Sequence, residues 1–383
     1  MRALSDTIAR LAAMKARAAA TLPKYGSSRL VPLEGGGSNP GHLEAKLFVP
    51  SRPAANAALV LVLHGCTQTA DGYDHGSGWS KLAEEQGFFV LFPEQQRANN
   101  PNLCFNWFLP EQTQRGQGEA LSIRQMIEEI IAIHDIDGQR VFITGLSAGG
   151  AMAAAMLAIY PDVFAGGAII AGLAYGVAKG VPEAFDRMRG HALPPASRLQ
   201  ANLKSGSVHR GPWPSISIWQ GTADSTVHAA NANAIVDQWR EVHRLEEVAS
   251  ATRKIENWTT MEWSDRDGQV KVTLHRILGM GHGTPLATTG PDLYGHPGPY
   301  MLDVGISSTY EIAKSWGLID RVGEATADTR GTEAVSGDEY AHTDAMPTPS
   351  YPFEPAPTSG AAAQTGRIGD IIEAALRSAG LMK

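Results

Sequence analysis

Arg140-Val-Phe-Ile-Thr-Gly-Leu-Ser-Ala-Gly-Gly-Ala-Met-Ala-Ala-Ala-Met-Leu157 decides how this chain is read: an apolar, β-branched run stops at Gly145, and a helix of small residues begins behind Ser147. Gly145-Leu-Ser-Ala-Gly149 fits G-x-S-x-G, where glycines permit a crowded strand-to-helix bend and the first helix amides point at whatever the hydroxyl attacks. In a chain with 41 glycines the motif alone is a weak signal. Its surroundings supply the specificity.

Upstream, Ala58-Leu-Val-Leu-Val-Leu63 and Phe88-Phe-Val-Leu-Phe92 are unbroken apolar runs, the pattern of strands covered on both faces; Pro93 is expected to stop the second. Residues 43–49 alternate as an edge strand does. Helical patterns at 78–86, ended by Gly87, and at 118–134, with Ile123, Ile127, Ile130 and Ile131 at helical spacing, separate the strands. Downstream, Gly166-Gly-Ala-Ile-Ile-Ala171, Ser215-Ile-Ser-Ile-Trp219 and Val270-Lys-Val-Thr-Leu-His-Arg-Ile277 read as strands, and 227–243 and 307–316 as helices. This alternation predicts an α/β fold of the α/β-hydrolase type, a mostly parallel sheet with helices on both faces. Between about 173 and 213 the pattern breaks into short, Arg-rich pieces, read as a small cap insertion over the site.

A serine hydroxyl is a weak nucleophile unless a base removes its proton and an acid steadies that base. Ser147, Asp224 and His282 follow one another in the chain order of an α/β hydrolase, each just after an expected strand, where catalysts gather in open α/β sheets. Asp265 and Asp267 compete for the acid's place but sit in a Gly-containing turn expected to be a solvated hairpin. His64 competes as base, yet its place in His64-Gly-Cys66 matches the oxyanion loop, where backbone does the chemistry. The backbone amides of Cys66 and Ala148 are the expected oxyanion donors.

The polar stretch 95–117 surrounds Cys104-Phe-Asn-Trp-Phe108 and is long for an idle connection. Phe105 and Trp107 are its candidates for contact with an acyl chain, or for core packing. His42, His75, His191, His209, His228 and His296 show no metal-ligand spacing, and the chemistry asks for no metal and no organic cofactor.

With 383 residues, 43% apolar and 19% charged, the chain is large enough for one α/β domain with appendages. A net charge of −7, spread along the chain, argues against nucleic acid or an anionic membrane as partner. Two cysteines, Cys66 and Cys104, are too few for a disulfide framework, and a single bridge between them stays open. No run approaches the roughly 20 apolar residues of a transmembrane span. Residues 1–24 read as an amphipathic helix rather than a secretory signal, so a cytoplasmic location is expected. The catalytic domain is expected over 25–320, a Pro-rich flexible linker over 321–364, and an amphipathic helix over 365–383. Ile368, Ile371, Ile372, Ala375, Leu376 and Ala379 give that helix an apolar stripe for its own domain, a homodimer partner, or a granule or membrane surface.

Leu63-His-Gly-Cys-Thr-Gln-Thr-Ala-Asp-Gly-Tyr-Asp74, Phe92-Pro-Glu-Gln95, Cys104-Phe-Asn-Trp-Phe108, Gly145-Leu-Ser-Ala-Gly-Gly150, Gly281-His282 and Tyr300-Met-Leu-Asp-Val-Gly-Ile-Ser-Ser-Thr309 resemble the esterases of the poly(3-hydroxybutyrate) depolymerase family. The resemblance runs from about residue 43 to 318. It implies a serine hydrolase of small or polyester-derived carboxylic esters of the 3-hydroxybutyrate type, with Ser147, Asp224 and His282 as triad and Cys66 and Ala148 as oxyanion donors. The same resemblance borders feruloyl and acetylxylan esterases, and a granule-surface or scaffolding protein with an idle triad is the reading from another class. Gly283-Thr-Pro-Leu286 departs from the Trp-Pro-Gly that many members carry after the histidine, which leaves the pocket wall open. With His282 as base, kcat/KM should fall on acidification near roughly pH 6.5.

Overall fold

A computed structural model describes residues 28–35, 37–290 and 293–319. The terminal helices expected over 1–24 and 365–383 and the linker over 321–364 lie outside the described residues. In chain order the elements are β1 (Val31–Pro32), β2 (Glu44–Phe48), β3 (Ala57–Leu63), α1 (Ala70–Ser77), α2 (Trp79–Gln86), β4 (Phe89–Glu94), α3 (Pro110–Thr113), α4 (Gly118–Ile133), β5 (Ile136–Leu146), α5 (Ala148–Ile159) and β6 (Gly166–Ile170). They continue with α6 (Val181–Met188), α7 (Ala196–Gly206), β7 (Ser215–Gly221), α8 (Ala230–Arg240), β8 (Ala251–Ile255), β9 (Trp258–Ser264), β10 (Val270–Ile277), β11 (Thr284–Leu286), β12 (Met301–Asp303) and α9 (Ser308–Ser315).

One ten-stranded sheet has the order β1-β2-β4-β3-β5-β6-β7-β10-β9-β8. From β4 to β10 neighbouring strands are parallel, while β2 and β1 extend one end and β9 and β8 the other with antiparallel pairing. The unbroken apolar runs have a simple cause: every residue of β3 is buried, Leu59, Leu61 and Leu63 in one core and Ala58, Val60 and Val62 in the core on the other face. Each such leucine removed from water contributes about 2 kcal/mol. The first core takes its helical residues from α4, α5, α7 and α8, the second from α1, α2 and α9.

All twelve residues of α5 are buried, which its alanines allow by letting backbone approach the sheet closely. The fit leaves no room elsewhere: a Cβ on Gly167 of β6 would lie 2.4 Å from Leu157 Cδ1. No described helix is long and apolar enough to cross a membrane.

Some expectations need correction. Pro93 does not stop β4; the strand runs on to Glu94, with Pro93 opposite Ala45 of β2. Antiparallel pairing alternates bonded and unbonded positions, so a residue without an N–H is tolerated there. Nor is the 43–49 strand an edge, since the two-residue β1 pairs along its outer side. The helix α1 carries Gly72 and Gly76 and has little intrinsic tendency to form; it is held by Thr69, whose side chain accepts the Gly72 N–H, and by Gly78 at φ 74°. The strands β8 and β9 show no buried run, and β8 is exposed at every position, so pairing onto β10 creates them. Asp265 and Asp267 do lie in the β9–β10 turn, where Asp265 accepts the Gly268 and Gln269 amides through its backbone and side-chain oxygens respectively.

Within 173–213, α6 meets the chain just beyond Asp224, the His228 N–H donating to Met188 O at 2.8 Å. The other helix, α7, packs on α5 and α8 through Leu199 and Leu203.

Candidate active site

Parallel strands present their carboxyl ends on one side of the sheet, and the candidate residues stand there. Ser147 follows β5, Asp224 follows β7 and His282 follows β10, on loops whose backbones are stitched sideways. The Ser147 N–H donates to Ile170 O (2.9 Å), the Ala171 N–H to Trp219 O (2.8 Å), and the Ala223 N–H to Met280 O (3.0 Å). The close approach has a sequence requirement at Gly221, where a Cβ would sit 2.2 Å from Met280 O.

Ser147 has φ 56° and ψ −116°, a conformation that costs a non-glycine residue of order 1–3 kcal/mol. The motif's glycines answer a different demand. A Cβ on Gly149 would lie 2.3 Å from Leu63 O and 2.5 Å from His64 O, and one on Gly145 2.5 Å from the Gly149 backbone. Crowding therefore requires the glycines, and the positive φ falls on the serine itself. The backbone amide of Ala148 opens α5, where the first N–H groups have no partner within the helix. Among the described residues neither the Ala148 nor the Cys66 amide donates to another group.

Asp224 and His282 are brought together: His282 Nδ1 donates to Asp224 Oδ2 at 2.8 Å, with both side chains buried. Asp224 Oδ1 accepts the amides of Thr226 (2.9 Å) and Val227 (2.8 Å), and Oδ2 also accepts Gln220 Nε2 (3.1 Å). With Nδ1 committed to Asp224, the other ring nitrogen, Nε2, is the one left to accept a proton. The Ser147 hydroxyl makes no hydrogen bond among the described residues, so the acid–base pair is assembled and the serine–base bond is not. Such bonds commonly tighten only with substrate.

His64 is held as a structural group. Its Nδ1 bonds Gly65 O (2.8 Å) and its Nε2 accepts the Gln95 N–H (3.1 Å), which fixes a neutral tautomer; full burial lowers its pKa to about 4. Cys66 and Cys104 form a disulfide, which ties the loop after β3 to the long 95–117 loop. Beneath them, Glu119 accepts Gln95 Nε2 (2.7 Å), Asn106 N–H (2.9 Å) and Asn106 Nδ2 (2.7 Å), and desolvation raises its pKa to about 7.

Of the two aromatic candidates, Phe105 is fully buried, with its ring 5.0 Å from that of His64. It belongs to the core and offers nothing to an acyl chain. Trp107 is half-buried and meets Phe108 edge-on. Gly283-Thr-Pro-Leu286 contributes β11, which pairs in parallel with β12, and the ring of Tyr300 stands edge-on to that of His282 at 6.0 Å. Tyr300 has φ 64° and accepts the Thr284 N–H at 2.8 Å. Sequence reasoning passed over Gln220, Gln95, Glu119 and Tyr300. Gln220, just before Gly221-Thr-Ala-Asp224, is a buried polar side chain at the end of a strand beside Ile218 and Trp219, and that placement is the signal that was available.

The sheet and strand-end loops define an α/β hydrolase. An acetyl xylan esterase from Aspergillus awamori of known structure shares the fold, with a TM-score of 0.65 at 23% identity over 77% of this chain and all of that one. Residues 43–262 match the family Esterase PHB depolymerase, and the chain belongs to it. It is 45% identical over 285 residues to poly(3-hydroxyalkanoate) depolymerase C of Paucimonas lemoignei, spanning 74% of this chain and 69% of that protein. A probable acetylxylan esterase A of Aspergillus clavatus is 30% identical over 71% of this chain and 89% of its own length. The protein is a carboxylic ester hydrolase.

Proposed function

We propose that the protein hydrolyses short-chain hydroxyalkanoate esters of the 3-hydroxybutyrate type through an acyl-enzyme on Ser147. His282 Nε2 takes the hydroxyl proton as Ser147 Oγ attacks the ester carbonyl, and Asp224 stabilises the imidazolium. The amides of Cys66 and Ala148 hold the oxyanion. His282 then protonates the departing alkoxide, and a water, deprotonated in turn by His282, releases the hydroxy acid. The observation that carries this reading is the buried Asp224–His282 bond, between loops two and three strands from a serine held in a strained turn at a helix N-terminus. The similarity to the Paucimonas lemoignei depolymerase supports the hydroxyalkanoate substrate.

Two measurements test the proposal. A fluorophosphonate probe should label the wild type and fail on Ser147→Ala; labelling that survives the substitution removes Ser147 from the mechanism and revives the idle-triad reading. Hydrolysis of 3-hydroxybutyrate oligomers should exceed that of methyl ferulate and acetylated xylan. The acetylxylan esterase relative favours a second reading, and a preference for acetylated xylan or ferulate selects it. The Cys66–Cys104 bond supports an oxidising compartment against the cytoplasmic expectation, because disulfides persist where thiols are not kept reduced. Alkylation of cells at the moment of lysis should find both cysteines blocked; two reactive thiols restore the cytoplasmic assignment.

A further inference from the structure

The geometry points to Gln220 as a positioning residue that acts on His282 through Asp224. The inference rests on the reading of Asp224 and His282 given above. Gln220 is the penultimate residue of β7 and is 1% exposed. Its Nε2 lies 3.1 Å from Asp224 Oδ2, 3.2 Å from Gly221 O and 3.0 Å from Val227 O. Those partners fix the amide's orientation, since a flipped side chain would set its oxygen against three oxygens. A primary amide has two N–H bonds, so three acceptors share two hydrogens and one of the bonds is bifurcated.

Gly221 and Val227 are the two ends of the loop that carries Asp224, and Gln220 bridges both. The carboxylate itself is held from two sides. Thr226 and Val227 grip Oδ1 alone, so among the described residues the hold on Oδ2 apart from Gln220 is His282, the very group to be aligned. Gln220 holds Oδ2, the oxygen that receives His282 Nδ1. With both oxygens fixed, the carboxylate plane is fixed, and with it the direction in which His282 presents Nε2. Asp224 keeps its backbone donors without Gln220, so the role is alignment of the base and its effect falls on the chemical step.

The test uses the full chain and p-nitrophenyl butyrate. Gln220→Leu should lower kcat about 30-fold and leave KM within about twofold, as expected for a base displaced by a fraction of an ångström. In an Asp224→Asn background the same substitution should change kcat by less than about threefold, because a residue acting through Asp224 has nothing left to act on. Gln220→Glu, of matching size, sets a second carboxyl against Asp224, where the pair holds one proton. Its single O–H can still grip Oδ2, so kcat at pH 7 should lie between those of Gln220→Leu and wild type and fall further at alkaline pH as that proton leaves.

A role confined to holding the loop together lowers Tm and moves none of these. Wild-type kcat in Gln220→Leu, or an undiminished effect in the Asp224→Asn background, overturns the inference. If Gln220→Leu does not fold, Gln220→Glu decides by its pH profile, and a kcat that stays at the wild-type level through alkaline pH counts against Gln220. The underlying reading fails separately, through an Asp224→Asn single variant that keeps wild-type activity.

Discussion

The loop after β3 and the loops after β7 and β10 face the same chemistry but are held by different means. The β3 loop is clamped covalently through Cys66–Cys104, and His64, Gln95, Asn106 and Glu119 form a buried polar layer beneath it. The loops bearing Asp224 and His282 rely on hydrogen bonds and on glycine-permitted contact between backbones. On the proposed mechanism the contrast follows from function. Amides that receive an oxyanion must stay still through both half-reactions, whereas His282 must accept and return a proton.

The largest effect expected is on the hydrogen-bonded side. Asp224→Asn preserves shape but removes the acceptor that sets the His282 tautomer, and kcat should fall about 10⁴-fold, as in other serine–histidine–aspartate systems. Retention of more than a tenth of wild-type kcat breaks the comparison there. On the covalent side, Cys104→Ser should cost about 10- to 100-fold in kcat, somewhat less than outright loss of an oxyanion donor. Dithiothreitol should impose the same loss on the wild type and none further on the variant. Full activity with two thiols titrated would show that the polar layer alone holds the amide.

The buried polar layer also predicts a pH signature. His64 is neutral in the fold with its pKa lowered to about 4, so its share of stability is complete above roughly pH 6.5 and is lost as pH falls toward 4. Glu119, raised to about 7, has the opposite sign: it keeps its proton where the unfolded chain has lost it, so stability falls as pH rises from 4.5 to 7, by on the order of 3 kcal/mol. The Tm of wild type minus that of Glu119→Gln should therefore shrink between pH 4.5 and 7.5. A difference that stays constant means Glu119 is ionised throughout.

The smallest effects separate the two aromatics of the 95–117 loop. Phe105→Leu should lower Tm by a few degrees, about 1–2 kcal/mol of lost packing, with KM unchanged. Trp107→Ala should raise KM for the oligomer a few-fold with little change in Tm. The reverse pattern would assign the substrate contact to the wrong residue.

How legible the protein was in sequence varies with how local the cause is. β3 and β5 are readable because burial on both faces demands unbroken apolar residues, and α5 because close packing demands small ones. β8 is unreadable, since partner hydrogen bonds hold its exposed residues in place. At the site, the placement of Ser147, Asp224 and His282 after β5, β7 and β10 was legible from the chain order, and the contact of Asp224 with His282 came from the fold. For Phe105 the sequence left acyl contact and core packing open, because an aromatic in a polar loop looks the same whether its ring turns outward or, as here, onto His64.

Sequence alone determined the sheet's parallel core, the crowded turn at Ser147 and the order of the three candidate residues, because apolar runs, glycines and strand ends are properties of contiguous residues. Tertiary structure decided the pairs: Cys66 with Cys104, Asp224 with His282, Gln220 with Asp224 and Glu119 with Asn106. Except within the β7 turn, these partners are separated by a dozen residues or more, and their meeting depends on where the whole sheet delivers each loop. The chain order named the groups, and the fold set which oxygen faces which nitrogen.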